Sequence, residues 1–101
     1  MEKLLRAITH CHENEICHRD IKPDNILIDK TDNVKVIDFG LSKYFDKNIS
    51  TLESRVGTPA YMAPEVVMGK TYDNKCDVWA LGVTMYQLLT GQVPFLGDNL
   101  C

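Results

Sequence analysis

Asp20, Lys22 and Asn25 fall close together in the run His18-Arg19-Asp20-Ile21-Lys22-Pro23-Asp24-Asn25, and a further carboxylate follows in Asp38-Phe39-Gly40. Side chains of these types can work together on phosphate chemistry. A carboxylate can orient a hydroxyl, a cation can neutralise charge on phosphate oxygens, and carboxylate or carboxamide oxygens suit a hard metal ion that keeps some of its waters. Each piece alone is weak. Asp-Phe-Gly is a plausible turn after a strand, His-Arg-Asp could be a surface charge cluster, and Asp-Asn near Pro is ordinary loop chemistry. What those readings do not produce is the ordered set: the Asp20–Asn25 loop, a hairpin, Asp38, then Gly57-Thr58-Pro59, Ala63-Pro64-Glu65 and Asp77-Val78-Trp79-Ala80-Leu81-Gly82.

In this order and spacing the chain resembles a eukaryotic-type Ser/Thr protein kinase catalytic domain, from about Leu4 to Asn99. The resemblance implies that Asp20 orients the substrate hydroxyl and accepts its proton, and that Lys22 steadies the transferred phosphate, a lysine that disfavours a tyrosine kinase. It implies that Asn25 and Asp38 bind Mg2+, that Asp38, Asn25 and Lys22 face the phosphates of ATP, and that Leu27 touches the adenine ring. ATP and Mg2+ are the implied cofactors. The implied partner is a protein substrate with a Ser or Thr acceptor, with Asp24 placed to favour a basic residue on it. His18 and Phe39 resemble the residues that stack into the spine between two lobes, Gly40 completes the metal-binding triplet, and Asp77 resembles the buried carboxylate that holds the catalytic-loop backbone.

Arg19 is implied to receive a phosphate carried by Ser54, four residues before Thr58, with Ser50 and Thr51 as lesser candidates. Thr58 matches the activation-segment threonine that bonds near Asp20 and Lys22. Tyr61 matches the pocket for the residue after the acceptor. Glu65 ends the segment, and its usual arginine partner belongs to a later helix outside these residues. Within the family, Ala7 to His12 and Asp73 to Trp79 look most like calcium/calmodulin-dependent and calcium-dependent protein kinases. The chain itself has no Asp-x-Asp-x-Asp-Gly calcium loop.

Several elements must position these groups. Leu4, Leu5, Ile8 and Cys11 recur at helical spacing, which predicts an amphipathic helix from residue 3 to about 12. Ile16-Cys17, Ile26 to Ile28 and Val34 to Ile37 are short β-prone runs, and Asp29 to Asn33 is turn chemistry that joins the last two as a hairpin. Residues 41 to 63 show no sustained period and are expected to form an irregular loop. Pro64 suits the first turn of a short helix ending at Gly69. A longer helix is expected from near Asp77 to about Thr90, stopped by Gly91 and Pro94, and it is apolar on nearly every face, as in the middle of a larger core.

Composition narrows the class further. The chain has 101 residues, 45% hydrophobic and 25% charged, with a formal net charge of -3, which excludes a disordered or membrane-spanning composition and allows one domain at most. Without a Lys/Arg cluster, no nucleic-acid or anionic-membrane partner is expected. The N-terminus lacks the pattern of a signal peptide, so an intracellular, most simply cytoplasmic, protein with reduced cysteines is expected. Cys11, Cys17, Cys76 and Cys101 form no C-x-x-C pair, and the grouping of His10, Cys11, His12, Cys17 and His18 does not have the spacing of a common zinc module.

The fold class expected is α+β, mainly helical: a partial C-terminal lobe of a kinase-like fold, with short β-hairpins around the catalytic loop. Residues 1–101 contain no glycine-rich loop and no Val-Ala-Ile-Lys-like strand, so they are expected to need the missing kinase-domain parts, or another partner, to cover the core. The catalytic reading competes with that of a noncatalytic, kinase-derived binding module. The intact set Asp20, Lys22, Asn25 and Asp38 favours the first, because a docking surface has no physical need for it.

Overall fold

A computed structural model of the chain describes residues 2–44, 56–70 and 72–95. The first helix, α1 (Glu2–Glu13), buries Leu4 and Ile8, which stand one turn apart on the same face. The apolar stripe is narrower than the spacing of leucines suggests: Leu5 is exposed and Cys11 only half-buried. The helix ends where the Asn14 N–H reaches the His10 and Cys11 carbonyls. Glu15, at φ 61°, then turns the chain into β1 (Ile16–Cys17).

Strands β2 (Ile26–Ile28) and β3 (Val34–Val36) form the expected hairpin, antiparallel with Leu27 opposite Lys35. Its turn is built around one carboxylate. Asp29 Oδ1 accepts from the Thr31 N–H, the Thr31 hydroxyl and the Asn33 N–H, each at 2.9 Å. The Asn33 backbone bond, followed by the Thr31 hydroxyl, holds the Asp29 carboxyl below its ordinary range. Asp32 takes the left-handed conformation at φ 60°. Ile26, Val34 and Val36 pack against the core, and Leu27 stays about half exposed on the other side.

The second ladder corrects an expectation. β4 (Lys43–Tyr44) lies in the segment read as irregular and pairs antiparallel with β1, Ile16 opposite Tyr44. Among the described residues, the paired strands around the catalytic loop are therefore one hairpin and one long-range ladder, rather than hairpins throughout. A two-residue strand has no period to read, so only the tertiary contact defines it.

After a short 3₁₀ turn at Pro59–Tyr61, helix α2 (Pro64–Val67) buries Val66 and Val67. Helix α3 (Lys75–Thr90) begins two residues before Asp77, and closes at Gly91, whose φ of 81° lets its N–H reach the Gln87 carbonyl at 2.7 Å. Two apolar clusters meet on α3. Ala80 and Leu81 join Leu4, Ile8 and Ile21 in one; Cys76 joins Cys17, Ala63, Val66 and Tyr72 in the other. The opposite side of α3 keeps Val78, Met85, Leu88 and Leu89 exposed, Leu89 at 75%. Among the described residues no helix is long and apolar enough to cross a membrane.

Candidate active site

The loop between β1 and β2 is anchored from below by one carboxylate. Asp77, in the first turn of α3 and 1% exposed, accepts from the backbone N–H of His18 at 2.8 Å and of Arg19 at 2.9 Å, and from His12 Nε2 at 2.9 Å. It does not act as the helix cap. Burial pushes its pKa up, but the bonds from His12 and from the Arg19 and His18 N–H groups outweigh that effect and leave the carboxyl below 3.8. His12 is itself oriented by Asn74, whose amide nitrogen donates to His12 Nδ1 at 3.1 Å.

This anchor holds Arg19 in a conformation that a non-glycine residue seldom takes. Its φ is 71°, a geometry that costs on the order of 1–3 kcal/mol. The side chain adds two further ties, Nε to the Leu41 carbonyl at 2.7 Å and Nη1 to the Tyr72 hydroxyl at 3.0 Å. Burial raises the Tyr72 pKa, only partly offset by the Arg19 bond, so the phenol stays protonated. Neither Tyr72 nor His12 was legible as part of this site. Each is remote in sequence from the residue it holds, and nothing in their spacing distinguishes them from core or surface residues.

Above the anchor, four expected site residues converge. Thr58 Oγ1 donates to Asp20 Oδ1 at 2.9 Å and accepts from Lys22 Nζ at 2.9 Å. Asn25 Nδ2 donates to the Asp20 carbonyl at 2.8 Å and approaches Asp20 Oδ2 at 3.3 Å. A Thr hydroxyl is thus seated between a carboxylate and an ammonium. Gly57 allows the approach: at φ 120°, a Cβ there would lie 2.6 Å from the Arg19 carbonyl oxygen, so any side chain would force the two segments apart.

Asp38 joins this group through the backbone. The Ile37 N–H bonds the Asn25 carbonyl at 2.8 Å, and His18 Nε2 donates to the Ile37 carbonyl at 2.9 Å. His18 Nδ1 accepts from the Asp20 N–H at 3.1 Å, so one imidazole sets both the Asp20 and Asp38 loops as the Nε2–H tautomer. Asp38 has φ 59°, and its Oδ1 lies 3.4 Å from the Gly40 N–H. A Cβ on Gly40 would crowd that oxygen at 3.2 Å. Phe39 meets His18 edge-on, ring centres 4.6 Å apart.

The donor set fits magnesium. Asn25 commits its amide nitrogen to Asp20, which leaves Oδ1 as the atom to offer a cation, and Asp38 is an exposed carboxylate; such hard oxygens suit an ion that takes its remaining ligands from water and phosphate. Leu27 is exposed on β2, and Asp24 is exposed beside the loop. Glu65 stands apart on α2, and among the described residues no ion pair engages it. Ser50, Thr51 and Ser54 lie outside the described residues. The histidine–cysteine grouping weighed for zinc does not assemble: His10 is exposed, His12 is bonded to Asp77 and Asn74, and His18 faces the Ile37 carbonyl.

Comparison with known proteins places this arrangement. A family model described as a protein kinase domain matches residues 1–100. The chain is 47% identical over 97 residues to the serine/threonine-protein kinase AtPK1/AtPK6 of Arabidopsis thaliana, covering 96% of this chain and 21% of that protein. It is 46% identical over 102 residues to CBL-interacting serine/threonine-protein kinase 15 of the same plant, covering 98% of this chain and 24% of the relative. A third relative, CBL-interacting serine/threonine-protein kinase 10, is 48% identical over 101 residues, with 97% and 21% covered. The chain therefore spans about a fifth to a quarter of the length of the curated relatives it matches.

Proposed function

The chain belongs to the protein kinase domain family, a protein Ser/Thr kinase by family, and from that premise we propose that its described residues form the C-terminal-lobe half of a site that moves the γ-phosphoryl group of ATP to a protein Ser or Thr hydroxyl. The observation that supports this reading best is the seat of Thr58 Oγ1 between Asp20 and Lys22, 2.9 Å from each, with Asn25 and the Asp38 loop tied to the same backbone. It is a place built to hold a hydroxyl and a cationic charge together.

In the proposed reaction Asp20 orients the acceptor hydroxyl and takes its proton as the O–P bond forms and ADP leaves. Lys22 neutralises charge on the phosphoryl oxygens. Asn25 Oδ1 and the Asp38 carboxylate would hold the metal. Magnesium, when bound with ATP, supplies positive charge to the phosphate oxygens, and the rest of the rate gain comes from positioning by these side chains. Leu27 is assigned to the adenine ring, and Asp24 to a basic residue on the substrate, whose charge it would complement.

Within the family, Asp73 to Trp79 and Ala7 to His12 support a place near the calcium/calmodulin-dependent and calcium-dependent kinases. Regulation is assigned to a phosphate on Ser54 that pairs with Arg19, whose guanidinium already bridges Leu41 and Tyr72. In the full-length protein, Ser54→Ala is expected to lower activity below that of the phosphorylated wild type. Equal activity of the two in a peptide phosphorylation assay removes Ser54 as the switch.

A polypeptide limited to these 101 residues is expected to transfer no phosphate above background to a basic Ser/Thr peptide, given ATP and Mg2+. It contains no glycine-rich loop and no lysine strand to close over the phosphates, so water enters and the nucleotide stays mobile. Its melt is expected to be broad, because Val78, Leu88 and Leu89 leave one side of α3 uncovered by any described residue. Turnover by a demonstrably pure, monomeric polypeptide of this length would show that far less of the two-lobed architecture is needed.

A further inference from the structure

We propose that Cys17 and Cys76 form an oxidisable dithiol, which hydrogen peroxide closes into a disulfide tying the strand before the catalytic loop to the first turn of α3. Their Sγ atoms lie 3.4 Å apart and both residues are buried, although they come from β1 and α3, 59 residues apart in the sequence. The phosphoryl-transfer reading uses neither. A disulfide bond is about 2.05 Å long, so closure needs the sulfurs to approach by roughly 1.4 Å.

A metal ion is the competing occupant, since ligand atoms of Cys17, Cys76 and Asp77 lie within 4.8 Å of one another. Asp77 argues against it. Its two oxygens already accept from His12, His18 and Arg19, and a cation would have to displace bonds that hold the catalytic loop. The two thiols instead lie against each other, with the same carboxylate close to Cys17.

The surroundings set the order of events. Cys76 lines a cleft with Arg19, Asp20, Thr58 and Met62, and Cys17 does not, so an oxidant arriving at the catalytic loop comes to Cys76 before Cys17. Cys17 is fully buried behind it. Contact with the Cys76 sulfur, followed by burial, pushes the Cys17 thiol up, and either sulfur can donate across the 3.4 Å contact. The Cys76 sulfur attacks peroxide: an S–O bond forms, the O–O bond breaks, and the departing hydroxide takes up the Cys76 proton and leaves as water. The Cys17 sulfur then attacks Cys76, the S–S bond forms, the S–O bond breaks, and a second water carries off the Cys17 proton. Two thiols lose two electrons and peroxide gains them. Because Cys17 precedes His18 and Arg19, whose N–H groups rest on Asp77, the closed form pulls on the backbone that sets Asp20; that consequence rests on the kinase reading, whereas the bond itself does not.

The test reads the sulfur chemistry alone. The full-length protein is treated with hydrogen peroxide while folded, then denatured in N-ethylmaleimide and digested without reductant for mass spectrometry. The expected product is a peptide pair joined through Cys17 and Cys76, lighter by two hydrogens than the separate thiols and released by dithiothreitol. In Cys17→Ser the link is lost and Cys76 is trapped by dimedone as sulfenic acid; in Cys76→Ser, Cys17 is recovered as its maleimide adduct. The wild-type measurement decides the matter even if either variant fails to fold. Recovery of both cysteines as maleimide adducts, after a dose that oxidises the half-buried Cys11, would overturn the proposal. So would a link that forms only when peroxide is added after denaturation.

Discussion

On the proposed reading, Asp20→Asn in the full-length protein is expected to lower kcat for peptide phosphorylation by on the order of 10²–10⁴-fold, the range that a lost general base commands, with nucleotide affinity nearly unchanged. The amide cannot accept the proton of the acceptor hydroxyl. It also cannot accept from Thr58 and from Asn25 at once, as the two carboxylate oxygens do. Asp38→Asn is expected to lower kcat and in addition to weaken Mg2+-nucleotide binding, since its carboxylate is assigned to the metal rather than to the hydroxyl. Single-turnover rates and nucleotide titrations separate the two defects. A peptide phosphorylation rate preserved in Asp20→Asn would show that another group takes the proton.

Asp77→Ala is expected to cost about 3–5 kcal/mol of stability, since each buried donor left without its acceptor costs about 1–3 kcal/mol, and to lower the melting temperature by on the order of 10 °C. Three N–H groups, from His12, His18 and Arg19, lose their acceptor together. The left-handed backbone at Arg19 loses the tie that offsets its strain. Asp77→Asn should fall between, keeping one oxygen and turning an amide N–H toward donors. The dependence on pH has a definite sign. Because the folded carboxyl sits below 3.8, its contribution is complete above that value and drains away as pH falls through the folded pKa. Melting curves of wild type and Asp77→Asn should therefore be furthest apart near neutral pH and converge in acid. A gap that stays constant into acid, or a melting temperature unchanged by Asp77→Ala, would mean that the loop is held by something other than this carboxylate.

Much of the local structure was legible because it rests on local rules. Leu4 and Ile8 repeat with the helical period, Asp29 to Asn33 has the side chains that make a turn, and Pro64, Gly69 and Gly91 mark helix ends through their own backbone preferences. Boundaries were less secure. The helix expected to start near Asp77 begins at Lys75, and the Asp77 carboxylate, rather than capping the helix, faces the loop as the family resemblance implies, where three N–H groups present a stronger demand than one helix end.

By itself, the sequence determined which groups are available: the order of Asp20, Lys22, Asn25 and Asp38, the family they mark, and the helices and hairpin whose periods and turn residues are written in neighbouring positions. The tertiary structure alone decided which remote groups meet. It brought His12 to Asp77, Tyr72 to Arg19 and Cys17 to Cys76, and paired Lys43–Tyr44 with Ile16–Cys17, whereas the place of Thr58 near Asp20 and Lys22 was already implied by the family resemblance. The physical reason is that a hydrogen bond or a buried contact acts through space over a few ångströms and leaves no period or composition along the chain, so such partners become visible only when packing has closed the distance between them.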